Sequence, residues 1–566
     1  MKLKTALLGA AATLAFAPAA FAERGADGNV NVLYSQAVSI MNAYLSSGTK
    51  DVEVGSLVLE PLAGFDQDGT VIPRLVTEIP SVENGGISED LTTITWKITP
   101  GLLWSDGTPV TAADAVFSYE YCTHPEGGCS QAARYEGIEK VEALDDLTVK
   151  ITWTAPKPNP FTAFVGSTSP ILQAAQFANC LGTAAPTCTE QNFRPIGTGP
   201  FMVTDFKVND VVELAANPNY RDAAKPAFAT MVVKGGGDAA GAARAVMETG
   251  EFDYAWNTQI NPELQAQMEA GGQGKFVSAF GTLVERIEMN MTNPSADLPE
   301  GERSTAMHPH PMLSDIRVRK ALSMAIDRSL LVEVGYGNAG RPTCNLVPAP
   351  AQYASPNTDC IAQDMEGAKA LLEEAGWVAG ANGMRAKDGV PMKLLYQTSV
   401  NAVRQDFQAL IKGWWNELGV EVELKSIDGG VYFGGDPGSP DTFQKFYADV
   451  EMYANNFDGT DPEPYLAQYL CDKAPSPANG WQGENINRFC DPAYDALVAE
   501  LASTREPEKR GEIAIRLNEM LTKDSYVVVP LVDRGRLSAH SNTLGGVVLN
   551  TWDSELWNAS DWFRIK

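Results

Sequence analysis

The hydrophobic period changes twice between Met392 and Leu424, and this limits the possible folds more than any other feature of the chain. Met392, Leu394 and Tyr396 alternate with polar residues, Val403, Phe407, Leu410, Ile411, Trp414 and Leu418 recur at helical spacing up to Gly419, and Val420, Val422 and Leu424 alternate again. Strand, helix and strand in that order make a crossover. The two strands must then run parallel in a sheet covered by helices, so this part of the chain is an α/β lobe.

A different pattern precedes it. Ile94, Trp96 and Ile98 alternate, as do Leu147, Val149, Ile151 and Trp153, and Thr111-Ala112-Ala113-Asp114 between them has the form of a capping box. The region from about Phe65 to Ile196 therefore reads as an α+β unit of its own. Later helices are predicted from Asp315 to about Arg328, from Met365 to Ala375 with Gly376 as the stop, from Pro492 to Ala502, and from about Pro507 to Lys523. With 566 residues, 44% of them hydrophobic, the chain can bury several cores, and two or three lobes are expected.

Lys2 and Lys4 stand before an apolar run from Ala6 to Ala17, followed by Ala20-Phe21-Ala22. That order predicts a secretory signal peptide over residues 1–22, its apolar core shorter than the ~20 residues of a membrane span. No Cys follows the cleavage pattern, so a free periplasmic protein is expected rather than a lipid-anchored one. Loss of the two lysines takes the formal charge from −28 to −30, which disfavours nucleic acid and anionic membranes as partners. The eight Cys fall into close pairs, Cys122 with Cys129, Cys180 with Cys188, Cys344 with Cys360 and Cys471 with Cys490. In an oxidising compartment this reads as four short-loop disulfides, with neighbour pairing the simplest connectivity.

Enzyme signatures are missing. There is no Gly-x-Ser-x-Gly, His-Glu-x-x-His, Walker loop or Gly-x-Gly-x-x-Gly, and neither a cofactor nor a metal is expected. His308-Pro309-His310-Pro311 suits an extended loop better than a metal site, and Gly235-Gly236-Gly237 lacks the Lys and Ser/Thr of a phosphate cradle.

The strongest signal is a series of segments in fixed order: Phe65 to Pro73, Trp104-Ser105-Asp106-Gly107 continuing to Ser118, Pro195-Ile196-Gly197-Thr198-Gly199-Pro200-Phe201, Asn217-Pro218-Asn219-Tyr220, Gly250 to Asp253, Ser314 to Arg328, and Ala368 to Leu372 with Ala375-Gly376-Trp377. This series closely resembles family 5 of the bacterial extracellular solute-binding proteins, which includes dipeptide-, oligopeptide- and nickel-binding proteins of ABC importers. The resemblance implies a periplasmic-binding-protein fold. Two α/β lobes would be joined at a hinge by crossing segments, with an extra α+β domain inserted in the first. It assigns 23–64, 199–284 and 527–566 to lobe one, 65–198 to the inserted domain and 285–526 to lobe two. It also implies that ligand binds between the lobes, that closure presents it to permease subunits in the inner membrane, and that no covalent chemistry is involved.

In peptide-binding members an Asp three residues before an Asp-Pro or similar pair holds the ligand's amino terminus, and Asp458 stands three before Asp461-Pro462. The same carboxylate also suits an Asx turn before Gly459. Peptide binders of the family usually carry Trp where this chain has Asn455, so the resemblance implies a more polar ligand: a modified peptide, an opine-like conjugate or a sugar-containing compound. Position alone adds Tyr453, Asn456, Phe457, Tyr34, Ser35, Ser46 and Ser47 as cleft candidates. Arg404, at the start of an amphipathic helix, is expected at the surface, and Asp461 and Glu463 as turn and cap residues. A monomeric receptor for peptides or similar amine-containing solutes is the leading expectation. The alternatives are a receptor for an opine, an oligosaccharide or a metal chelate, and, further off, a secreted hydrolase.

Overall fold

The computed structural model describes residues 23–299, 301–457 and 459–565. The expected signal peptide, 1–22, lies outside them. Two mixed sheets form the body. The first has seven strands in the order Gly274–Ala279, Arg536–Ser541, Tyr254–Trp256, Asn29–Tyr34, Thr230–Gly235, Val211–Ala216 and Phe201–Lys207. The second has six, in the order Gly340–Pro342, Val528–Arg534, Val284–Met289, Val450–Asn455, Lys393–Ser399 and Glu421–Ile427. Each sheet has its own hydrophobic core, so each is the centre of a lobe.

The crossover read from the period is present. Lys393–Ser399 and Glu421–Ile427 pair in parallel, and the helix Ala402–Glu417 between them buries Val403, Phe407, Ile411 and Trp415. Those four are spaced by four residues, so the buried stripe runs through Trp415, with Trp414 only at its edge. Trp415 Nε1 donates to Leu322 O at 2.9 Å, which gives its one polar atom a partner inside the core.

The helix expected from Asp315 to Arg328 is two. One runs Ile316–Met324, and a second, Arg328–Gly335, restarts on Asp327, whose side chain accepts from Leu330 N at 3.0 Å. Arg328 is fully buried and donates to the carbonyls of Ser323, Cys360 and Pro530. It thus ties the end of the first helix to the strand at Pro530 and the loop at Cys360.

The inserted region carries a three-stranded sheet in the order Thr93–Lys97, Thr148–Trp153, Ile138–Asp145, with the helix Ala112–Thr123 against it. Thr111 N donates to Asp114 Oδ2 at 2.9 Å, the reciprocal half of a capping box. Its core is built on Trp96, Trp104, Ile94 and Ile151. The four disulfides join the neighbouring Cys pairs, two in this region and two in the second lobe.

The chain passes between sheets twice, through Phe280–Leu283 and through Gly535. The strand Val528–Arg534 belongs to the six-stranded sheet, so assigning everything after residue 526 to lobe one starts that segment too early. The reason is physical: residues 527–532 are buried throughout, and an unbroken apolar run carries no period that tells one sheet from the other.

Gly197 shows why the Pro195–Phe201 motif has its form. A Cβ there would lie 1.9 Å from Val58 O. Gly197→Ala is therefore expected to lower the stability of the ligand-free protein by about 1–3 kcal/mol, read as a lower urea midpoint. An unchanged midpoint would contradict this close approach.

Candidate functional site

Where the two crossing segments meet, the lobes and the inserted region enclose a cavity with about 1530 Å³ of atom-free space, open solvent at its mouth included. Gln36, Ser47, Glu53, Trp256 and Arg536 reach it from the first lobe, Ser130 and Arg134 from the inserted region, and Arg286, Arg404, Tyr453, Asn455 and Glu484 from the second lobe. Contacts also join the inserted region to the second lobe. Lys157 of the inserted region makes a buried ion pair with Glu463 at 2.6 Å, Lys473 pairs with Glu136, and Ser130 Oγ donates to Gln482 Oε1 at 3.2 Å.

The strand Val450–Asn455 delivers the candidate stretch to this cavity. Tyr453 is buried, with Arg286 over its ring at 5.0 Å and Phe443 against its edge. Asn455 Oδ1 accepts from Asn456 N at 3.0 Å, and both residues line the cavity. Phe457 also lines it, held by its backbone to Thr282 Oγ1 and packed on Tyr465. Asp458 lies outside the described residues. On its far side Gly459 N donates to Trp552 O at 2.6 Å. Asp461 does cap the next turn, accepting from Glu463 N, and it pairs with Arg510 at 2.5 Å. Glu463 is more than a cap, because its carboxylate is the partner of Lys157.

Three candidates do not line the cavity. The Tyr34 ring is fully buried, stacked on Trp256 with centroids 4.6 Å apart, so Trp256 presents the surface that Tyr34 was expected to give. Ser46 turns inward, its Oγ donating to Asp51 Oδ2 at 2.7 Å while accepting from Gly48 N. Ser35 is half-buried beside the cavity, and its neighbour Gln36 faces in instead. Ser47 does line it.

Arg404 corrects the surface expectation. It is buried, with Nε donating to Glu285 Oε1 at 2.6 Å and Nη1 to Ser399 Oγ at 2.7 Å. Burial alone would raise the Glu285 carboxyl, but Arg404 and Arg534 outweigh it and hold the group below the usual carboxylate range. On the other side of Gly535, Arg536 pairs with Glu53 at 2.5 Å, and Glu555 stands 3.8 Å away. Burial, with Glu555 adding to it against the pull of Arg536, pushes Glu53 up to about 8. Glu484 stays partly exposed along its side chain, yet its Oε2 is shut off from solvent without a hydrogen-bond partner among the described residues. Burial pushes its carboxyl up to about 7, with Lys473 and Arg134 opposing.

These charged residues were missed because they lie far apart in sequence and meet only at the crossing. The one local signal was the pair of arginines flanking Gly535. None of the four His lines the cavity, and among the described residues no cluster of three or more His, Cys, Asp or Glu is placed to hold a metal ion.

Two lobes crossing twice around an internal cavity, with a third domain inserted in one, define the two-lobed binding-protein class. Residues 70–476 match the model of the bacterial extracellular solute-binding proteins, family 5 (middle region), and the chain belongs to that family. It is 27% identical over 460 residues to a putative ABC transporter peptide-binding protein of Brucella ovis, covering 80% of this chain and 77% of that one. It is 24% identical over 552 residues to the glutathione-binding protein GsiB of Salmonella typhimurium, covering 96% and 95%. The oligopeptide-binding protein AppA of Bacillus subtilis, solved with a nonapeptide, superposes with a TM-score of 0.79 at 19% identity, over 96% of this chain and all of that one.

Glu484 gives a pH test. Its folded pKa lies above that of an unfolded glutamate, so between about pH 4.5 and 7 the folded state binds more protons and stability falls as pH rises. Denaturant midpoints measured across this window are expected to fall more steeply for the wild type than for Glu484→Gln. Equal slopes would contradict the perturbed carboxyl.

Proposed function

We propose that the protein captures peptides or similar small polar, amine-containing solutes in the periplasm and delivers them to the permease of an ABC importer, acting as a monomer and without covalent chemistry. The observation that carries this reading is the position of the cavity. It lies at the crossing, with walls from both lobes and the inserted region, so a ligand there touches parts that can move relative to one another. Binding then favours the closed arrangement by the difference in contacts between open and closed states. The Brucella and Salmonella relatives named above support the peptide class. We divide the chain at about residues 65 and 198 for the inserted domain, and at the two crossings for the lobes.

Asp458 is the proposed anchor for the ligand's ammonium group. A buried carboxylate needs a cation, and removing one partner of such a pair costs roughly 3–5 kcal/mol. Asn455 and Asn456 offer amides where an aromatic wall would exclude polar groups, which suits a polar ligand. In Asp458→Asn the rise in melting temperature caused by a tripeptide mixture is expected to disappear, while the ligand-free melting temperature stays within a few degrees of wild type. Full ligand stabilisation in that variant would remove Asp458 from the site.

A further inference from the structure

The arginines lining the cavity differ in how their donors are used. Arg286 Nε donates to Glu288 at 2.6 Å, Arg404 to Glu285, and Arg536 to Glu53. Arg534 is as buried as these, with only 3% of its surface exposed, but among the described residues its carboxylate, Glu285, is one it shares with Arg404. Its Nε comes within 3.4 Å of Glu285 Oε2 without the alignment of a hydrogen bond. That carboxylate is already taken by Arg404 and by the Tyr336 hydroxyl at 3.0 Å. Among the described residues the guanidinium's one hydrogen bond is a long contact from Nη1 to Asn257 Oδ1 at 3.3 Å.

A second unspent donor belongs to a residue that lines the same cavity. Trp256, next to Asn257 in the chain, is buried and its Nε1 has no acceptor among the described residues. Buried donors without acceptors are costly, and a buried cation more so. Two of them lining one cavity describe a place for an anionic group.

Resting on the reading of the cleft as a receptor for peptide-like solutes, we propose that Arg534 receives a carboxylate of the ligand, with the Trp256 indole beside it, and that the ligand is a short zwitterion. Strand register sets the length. Val284 pairs with Asn455 on one side and with Asp533 on the other. The strand ends leading to the Asn456–Phe457 segment and to Arg534 are therefore two strand spacings apart, on the order of 10 Å. An extended peptide rises roughly 3.3 Å per residue, so a ligand with its amine near Asn456 and Phe457 and its carboxylate on Arg534 has about three residues. A guanidinium takes a carboxylate through two parallel donors, and the second lobe and the crossing would then hold opposite ends of one molecule.

The test compares a mixed tripeptide library of free acids with the same library as C-terminal amides, by mass-spectrometric capture and then by calorimetry on the tightest member. In the wild type the free acid is expected to bind roughly 10- to 100-fold more tightly than its amide. In Arg534→Gln that gap closes, and Arg534→Lys, which keeps the charge but not the fork, retains part of it. Equal affinity for acid and amide in the wild type, or a gap that persists in Arg534→Gln, overturns the proposal. Should Arg534→Gln fail to fold, the acid–amide comparison in the wild type and Arg534→Lys decide it. A wild type that binds neither library overturns the peptide reading itself, a different outcome from binding both forms equally.

Discussion

Arg534 and Arg536 flank the glycine at which the chain passes from one sheet to the other, and each is tied to a different lobe. Arg534 lies against Glu285 and Tyr336 in the second lobe, and Arg536 against Glu53 and Glu555 in the first. Because these groups are buried, their charges are weakly screened, and separating any one from its partner is expensive. The crossing is thus a fixed point about which two otherwise separate cores are arranged. The cleft floor is made of the same residues.

That arrangement ties binding to geometry. A solute on the floor meets the guanidinium of Arg534, which shares Glu285 with Arg404, with Glu53 pushed toward its neutral form by burial and Glu484 pushed up to about 7 in the second lobe. The inserted region and the second lobe are joined by the Lys157–Glu463 and Lys473–Glu136 pairs and by Ser130 and Gln482. The buried pair at 157 and 463 can form only when the inserted region and the second lobe are together. Opening the cleft breaks it, and a ligand that holds the lobes closed preserves it.

Much of the fold was legible because local periods and caps agree with the final packing. The Lys393–Ile427 crossover and the Thr111–Asp114 capping box were both written in short stretches of sequence. The divided helix after Asp315 was not, because Arg328, which ties the end of the first helix to Pro530 and Cys360, looks from sequence like one more helical residue. Within the site, Asn455 came from family position, Tyr453, Asn456 and Phe457 from the same stretch, and Ser47 from the loop after the first strand, and all five line the cavity. Arg404 was misplaced for a clear reason. An amphipathic helix start exposes most arginines, and nothing nearby reveals Glu285, which is 119 residues away in sequence. Ser46 failed in the same way, since its partner Asp51 sits one helical turn on and turns the hydroxyl inward.

The claim on which all this depends is that a ligand at the crossing closes one lobe upon the other. Small-angle X-ray scattering of the ligand-free protein, titrated to saturation with the tripeptide that binds most tightly, tests it directly. Closure requires a fall in the radius of gyration that saturates with the binding isotherm, and an unchanged radius at full occupancy would contradict it.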